Sequence, residues 1–232
     1  MKRSLALLAL ITFSIVVLAA CNSPQPLPVA PTKIPTLPPA TLPPAVTATP
    51  RAAIAGVNFP TTPPSATAGE AVYKAKCVAC HGADGKAQVA GARNFTDVDY
   101  MRAAVPAEFF RVATKGKETM PGFEKDLSDK ERWDATYYLW HFAVPDAAIT
   151  KGKTIFDANC VSCHGADGKG VIPQAAPLNN PEYIASRPLA EFYQSVTGGK
   201  GIMPAWQDRL SSDDRWAVVE YVQTFGYKPL GK

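Results

Sequence analysis

Two five-residue segments carry the chemistry of this 232-residue chain, Cys77-Val78-Ala79-Cys80-His81 and Cys160-Val161-Ser162-Cys163-His164. Two thiols one helical turn apart can each add to a vinyl group of a porphyrin, while the next residue sets an imidazole beneath the iron; this is the attachment pattern of c-type haem. A thioredoxin-like dithiol would need only one such pair in a strand-helix context, and a zinc site would need four converging ligands without a His directly behind each pair. Plain disulfides at this separation are sterically awkward and leave His81 and His164 without a role. Cys21 plus the two pairs accounts for all five cysteines.

The two segments belong to a longer repeat. A constant shift of 83 residues pairs Gly69 with Gly152, Gly82-Ala83-Asp84-Gly85-Lys86 with Gly165-Ala166-Asp167-Gly168-Lys169, Met120-Pro121 with Met203-Pro204, Arg132-Trp133 with Arg215-Trp216, and Phe142 with Phe225, with no insertion or deletion. Two copies of this length describe the duplication of a small domain, not a solenoid. Ser128-Asp129-Lys130-Glu131 is a capping box, with Ser211-Ser212-Asp213-Asp214 as its near match, so a closing helix is expected after each. Ala135, Tyr138, Leu139 and Phe142 form an apolar stripe at helical spacing, repeated by Val218, Tyr221, Val222 and Phe225. Each stripe is expected to pack on the helix holding Gly69 or Gly152, where the missing side chain permits a close crossing.

The rest of the chain bounds where these copies work. Met1–Ala20 has a cationic start (Lys2, Arg3) and an apolar run short of a confident membrane span, the shape of a secretory leader. Leu18-Ala19-Ala20-Cys21 resembles the lipobox of bacterial lipoproteins, which implies cleavage before Cys21 and its lipidation; an uncleaved anchor helix is the alternative. Thirteen of the 22 prolines fall in 22–68, a stretch without Asp or Glu, which reads as a disordered spacer. The expected divisions are therefore a leader at 1–20, lipidated Cys21 with a Pro/Thr/Ala-rich linker to 68, and domains at 69–145 and 146–232. The first domain holds 11 basic and 11 acidic side chains and the second 9 and 9, so no basic surplus is present to drive nucleic-acid binding.

The attachment motifs, the upstream Gly with an aromatic one turn later (Gly69 and Tyr73; Gly152 and Phe156), the Met-Pro about forty residues after each His, and the aromatic closing helix resemble the class I cytochrome c family. The resemblance implies an all-α fold of two tandem cytochrome c-like domains, each wrapped around one covalently attached haem, and thus two haem c cofactors held by Cys77, Cys80, Cys160 and Cys163, with His81 and His164 on the irons. Only one further His exists, His141, whose counterpart is Thr224; bis-histidine ligation of both haems is therefore excluded. Met is the other common sixth ligand, a thioether that raises the potential. Met120 and Met203 recur at the same place in Gly- and Pro-flanked loops, and the resemblance assigns them as the distal ligands. It also implies that the carbonyl before Leu178, that of Pro177, accepts the imidazole N–H in the second copy. The first copy has Asn94-Phe95 there; a backbone carbonyl remains available from Asn94, its orientation need not be the same, and unequal potentials follow.

With both axial positions filled, the chemistry left is one-electron exchange. The leading expectation is a lipid-anchored, extracytoplasmic di-haem electron carrier, not an enzyme and without a small-molecule substrate. The resemblance suggests partners such as a quinol-oxidising complex, a terminal oxidase or a photochemical reaction centre. The alternatives are a haem subunit built into a respiratory or photosynthetic complex, which the neutral charge of the domains favours, and a di-haem redox enzyme such as a peroxidase, which would need a vacant ligand position.

Overall fold

The computed structural model describes residues 56–231. The leader, Cys21 and most of the expected spacer lie outside the described residues. Within them the chain is helical, and its only extended pairings are isolated bridges. No described helix is long and apolar enough to cross a membrane.

The first lobe runs through α1 (Ala66–Lys76), the single turn α2 (Val78–His81), α3 (Val98–Ala103), α4 (Pro106–Lys115) and α5 (Asp129–Tyr138), which tightens into a 3₁₀ turn at Leu139–Phe142. The second repeats this order with α6 (Asp146–Asn159), α7 (Val161–His164), α8 (Pro181–Ala185), α9 (Leu189–Gly198) and α10 (Ser212–Gln223), closing on a 3₁₀ turn at Thr224–Gly226. Both closing helices start with a complete reciprocal cap. Ser128 accepts from the Glu131 amide at 3.3 Å and donates its own amide to the Glu131 carboxylate at 2.8 Å. Ser211 and Asp214 do the same at 3.1 and 3.2 Å, the shorter Asp serving where Glu is usual.

The expected close crossing is present in each lobe. A Cβ on Gly69 would fall 2.0 Å from the Asp134 carbonyl oxygen, and one on Gly152 would fall 1.9 Å from that of Ala217. The stripes face these crossings: Tyr73 lies 5.2 Å from Tyr138 and 5.1 Å from Phe142, centroid to centroid, and Phe156 lies 5.4 Å from Tyr221 and 5.3 Å from Phe225. The most deeply buried side chains of α5 and its 3₁₀ turn are nevertheless Trp133, Tyr137 and Trp140, outside the stripe, because a second face of this helix meets the other lobe.

The lobes share one continuous apolar core that includes Met101, Trp140, Ile149, Ile184 and Val219. On one side of the junction Arg102 of α3 bonds the Glu220 carboxylate of α10 at 2.8 and 3.1 Å and lies 4.1 Å above the Trp216 ring. Under the 83-residue shift, Arg102 corresponds to Ala185 and Glu220 to Tyr137. Accordingly, the opposite side is apolar, with Ala185 buried in a cluster with Ala107, Phe110, Trp133 and Tyr137.

Segments beyond the repeats complete this junction. Ala66 donates its amide to the Lys228 carbonyl at 2.9 Å, Lys228 donates to that of Pro64 at 2.7 Å, and Tyr227 stacks on Tyr137 at 4.6 Å. Phe59 stacks on Trp133, whose indole N–H donates to the Asn58 carbonyl at 2.7 Å. The spacer drawn to residue 68 is thereby corrected at its end: Ser65 caps α1, and residues 58–68 pack on the first lobe because Trp133 and the Lys228 backbone offer them partners.

Candidate haem sites

Each attachment motif is wound into one turn by the helix before it. The Cys77 amide donates to the Tyr73 carbonyl at 2.9 Å, and the His81 amide donates to that of Cys77 at 3.0 Å; the Cys160 and His164 amides repeat these bonds at 2.8 and 2.9 Å. Both thiols and the imidazole of each motif thus share one short stretch of backbone. No disulfide joins the four motif cysteines. Burial, seconded by the neighbouring thiol, pushes Cys77 and Cys160 up to about 11, the reverse of the depressed pKa that a redox dithiol needs. Among the described residues no cluster of three or more His, Cys, Asp or Glu side chains forms a zinc-type ligand set.

The second motif opens on a cleft of about 860 Å³. Cys160, Cys163 and His164 line it together with Met203 and Pro204, and Phe156, Leu178, Phe192, Val218 and Val222 supply apolar lining. This volume is in the range of pockets that enclose a large cofactor. The contents fit a haem: two thiols for covalent bonds, an imidazole and a thioether for iron, and an apolar lining for the ring. Arg187 and Lys200 are the cations of the lining.

A tight hairpin carries each methionine. Lys117 and Met120 exchange backbone bonds at 3.0 and 2.9 Å, and Lys200 and Met203 at 3.0 and 3.0 Å. Gly116 and Gly199 precede these hairpins at φ 77° and 76°, and a Cβ on either would fall 2.6 or 2.5 Å from the Met carbonyl oxygen; no other residue fits there. The hairpins are then tied back to the helices by the Phe123 amide donating to Ala113 and the Trp206 amide to Val196, at 2.9 and 3.0 Å. Met203 therefore shares a cleft with its expected partner His164, and Met120 occupies the equivalent hairpin of the first lobe. His141, exposed and stacked 5.7 Å from Tyr138, belongs to the helix surface.

Behind the imidazoles the lobes differ. His81, 8% exposed, has Nδ1 at 3.1 Å from the Arg93 carbonyl. The acceptor is thus not the available Asn94 carbonyl but the one before it, because the Asn94 side chain closes a turn on Thr96 and leaves the preceding carbonyl facing the ring. In the second lobe the Pro177 carbonyl accepts from the Asn180 amide at 3.1 Å instead. His164 Nδ1 is buried without a hydrogen-bond partner among the described residues. Burial lowers the pKa of His164, and the nearby Ala176 carbonyl opposes that only in part.

Sequence reasoning missed a cation-on-ring contact in each lobe. Arg93 lies 4.2 Å above Tyr100 and Arg187 4.0 Å above Tyr183. The tyrosines are repeat-equivalent and the arginines are not, so no shift of the sequence on itself pairs them.

A family model described as cytochrome c oxidase, cbb3-type, subunit III matches twice, over 64–139 and 147–222. The cbb3-type cytochrome c oxidase subunit FixP of Rhizobium meliloti (strain 1021) is 29% identical over 175 residues, which are 69% of this chain and 60% of that protein. Subunit CcoP of Cereibacter sphaeroides is 31% identical over 176 residues, 68% of this chain and 60% of its own. The chain thus spans about 60% of the length of the relatives it matches. Reduced recombinant cytochrome c4 from Pseudomonas stutzeri, a solved structure, covers 69% of this chain and 98% of its own at 19% identity, with a TM-score of 0.24, too low to bear on the fold. The chain belongs to the cbb3-type subunit III family, is built of two tandem cytochrome c domains, and carries two covalently bound c-type haems.

Proposed function

We propose that this member of the cbb3-type subunit III family is an electron relay working as a subunit of a terminal oxidase complex, not as a freely diffusing carrier. In this reading Cys77 and Cys80 bind the first haem and Cys160 and Cys163 the second. His81 and Met120 ligate one iron, and His164 and Met203 the other. A bound haem supplies reversible one-electron exchange at its iron. The chain's own part is to fill both axial positions, bury the ring in an apolar cleft, and set the surrounding dipoles. Arg187 and Lys200 on the cleft lining suit the carboxylates of a haem.

The observation that carries the electron-transfer reading is the cleft on which His164 and Met203 both lie; an iron ligated by both would offer no open position to a substrate. The subunit reading draws its support from the family match over both lobes and from the neutral domains, which offer a diffusing carrier little steering. The proline-rich stretch keeps the tethered carrier as the second reading, with the leader at 1–20 cleaved, Cys21 lipidated, and both lobes on the outer, extracytoplasmic side of the membrane.

Two measurements test this. Visible and near-infrared spectra of the full chain, with a carbon monoxide challenge, should report two low-spin haems with a methionine-to-iron band and no rapid ligand uptake. Mild solubilisation of membranes should then bring the chain out with cytochrome c oxidase activity. Uptake of carbon monoxide by one haem would overturn the relay; elution apart from all oxidase activity would favour the tethered carrier.

A further inference from the structure

The 93–96 turn of the first lobe and its counterpart at 176–179 spend the carbonyl behind the imidazole in opposite ways. In the first, the Asn94 side chain accepts the Thr96 amide at 3.0 Å and the Thr96 hydroxyl at 2.9 Å, and the Phe95 amide donates to the Gly85 carbonyl at 2.8 Å. Local donors are satisfied without the Arg93 carbonyl, which is left to meet His81 Nδ1 at 3.1 Å. In the second, Pro177 has no side-chain acceptor and a fixed φ, and the chain closes a three-residue turn instead. There the Leu178 amide donates to the Ala176 carbonyl at 2.9 Å, and the bond to Gly168 slips one residue, to the Asn179 amide at 3.3 Å. The carbonyl equivalent to that of Arg93 is thereby shared with its own turn, and the buried His164 Nδ1 beside it makes no well-formed hydrogen bond among the described residues.

A ring N–H that donates a hydrogen bond makes the opposite nitrogen a stronger donor to a metal. A more basic axial ligand favours the oxidised iron and lowers the potential. The arginines do not offset this, because each lobe carries one at nearly the same distance from the equivalent tyrosine, 4.2 and 4.0 Å. We infer that the exchange of Asn94 for Pro177 orders the two reduction potentials, with the first lobe the lower. A single electron in the chain then resides in the second lobe: as one moves across, a ferrous iron in the first lobe is oxidised, a ferric iron in the second is reduced, and no proton transfers. Asn94 and Pro177 act as positioning residues, through the carbonyl before them. The inference rests on the ligand assignment proposed above.

The test is an optical redox titration of the full-length holoprotein and of two reciprocal variants. The unsubstituted protein should titrate in two one-electron steps. Pro177→Asn, which returns a side-chain acceptor to the second turn, should lower the upper midpoint and leave the lower one in place. Asn94→Pro should raise the lower midpoint alone. Each shift should be about tenfold in the redox equilibrium, which is about 59 mV for one electron. A single shared midpoint, or shifts of the opposite sign, would overturn the inference while two low-spin, carbon monoxide-resistant haems leave the relay standing. Loss of those spectral features in the unsubstituted protein would bring down the relay itself. Should a variant fail to fold, proton exchange in the reduced, unsubstituted protein decides: one proximal Nδ1–H should exchange slowly and the other at least tenfold faster, and equal rates refute the inference.

Discussion

Removing Arg102 strips the counter-charge from a carboxylate that has almost no water to fall back on. Glu220 is 3% exposed and Arg102 23% exposed, and both bonds from the guanidinium end on Glu220 Oε1. Breaking a buried ion pair from one side costs about 3–5 kcal/mol, and the partial exposure of Arg102 puts Arg102→Ala near the lower figure. At about 2–4 °C per kcal/mol for a chain of this size, the melting temperature should fall by about 6–12 °C at neutral pH. Glu220 already sits above its ordinary value because burial outweighs the pull of Arg102. Without the arginine it rises further. A carboxyl whose folded pKa is raised destabilises the fold as pH climbs from the unfolded value through the folded one, so the deficit of Arg102→Ala should shrink as pH falls toward and below about 4.5. Glu220→Gln should rescue most of it, leaving only the loss of packing on Trp216, about 0.5–2 kcal/mol. Thermal unfolding followed by far-ultraviolet circular dichroism, at several pH values and in both backgrounds, decides the matter. A fall of less than 3 °C, or one of equal size with Gln at 220, would refute the coupling.

Met203→Ala should remove the methionine-to-iron band of one haem and admit carbon monoxide to half the haem content; two bands after the change would reassign the ligand. Gly152→Ala places a methyl 1.9 Å from the Ala217 carbonyl oxygen and should cost at least about 1–3 kcal/mol, read as a lower melting temperature. Tyr137→Phe should be neutral or stabilise by about 1 kcal/mol, because the Tyr137 hydroxyl is buried with no partner among the described residues and removing an unpaired polar group relieves its desolvation. A clear loss on urea unfolding would show that the hydroxyl is bonded through water.

Much of the fold was legible because the repeat is gapless: each feature seen in one copy could be checked in the other. Gly69 and Gly152, the two capping boxes and the two Met hairpins are all local or helix-to-helix features whose spacing survives the shift. What stayed hidden falls into two kinds. The junction is built from positions where the copies disagree, Arg102 against Ala185 and Tyr137 against Glu220, and disagreement carries no signal about what lies opposite. The turn behind each imidazole depends on which of several nearby carbonyls an amide selects. Asn94-Phe95 marked a departure from the family pattern there without fixing the acceptor, since only the folded backbone distinguishes an Asn side-chain turn from a proline one.

The two lobes are no longer interchangeable parts. A pair made of two first lobes would set Arg102 against Tyr137 and strand a cation beside an aromatic ring. Two second lobes would set Ala185 against Glu220 and strand a buried carboxylate. Only the unlike pair is neutral at both edges, so neither copy could stand in for the other at this junction.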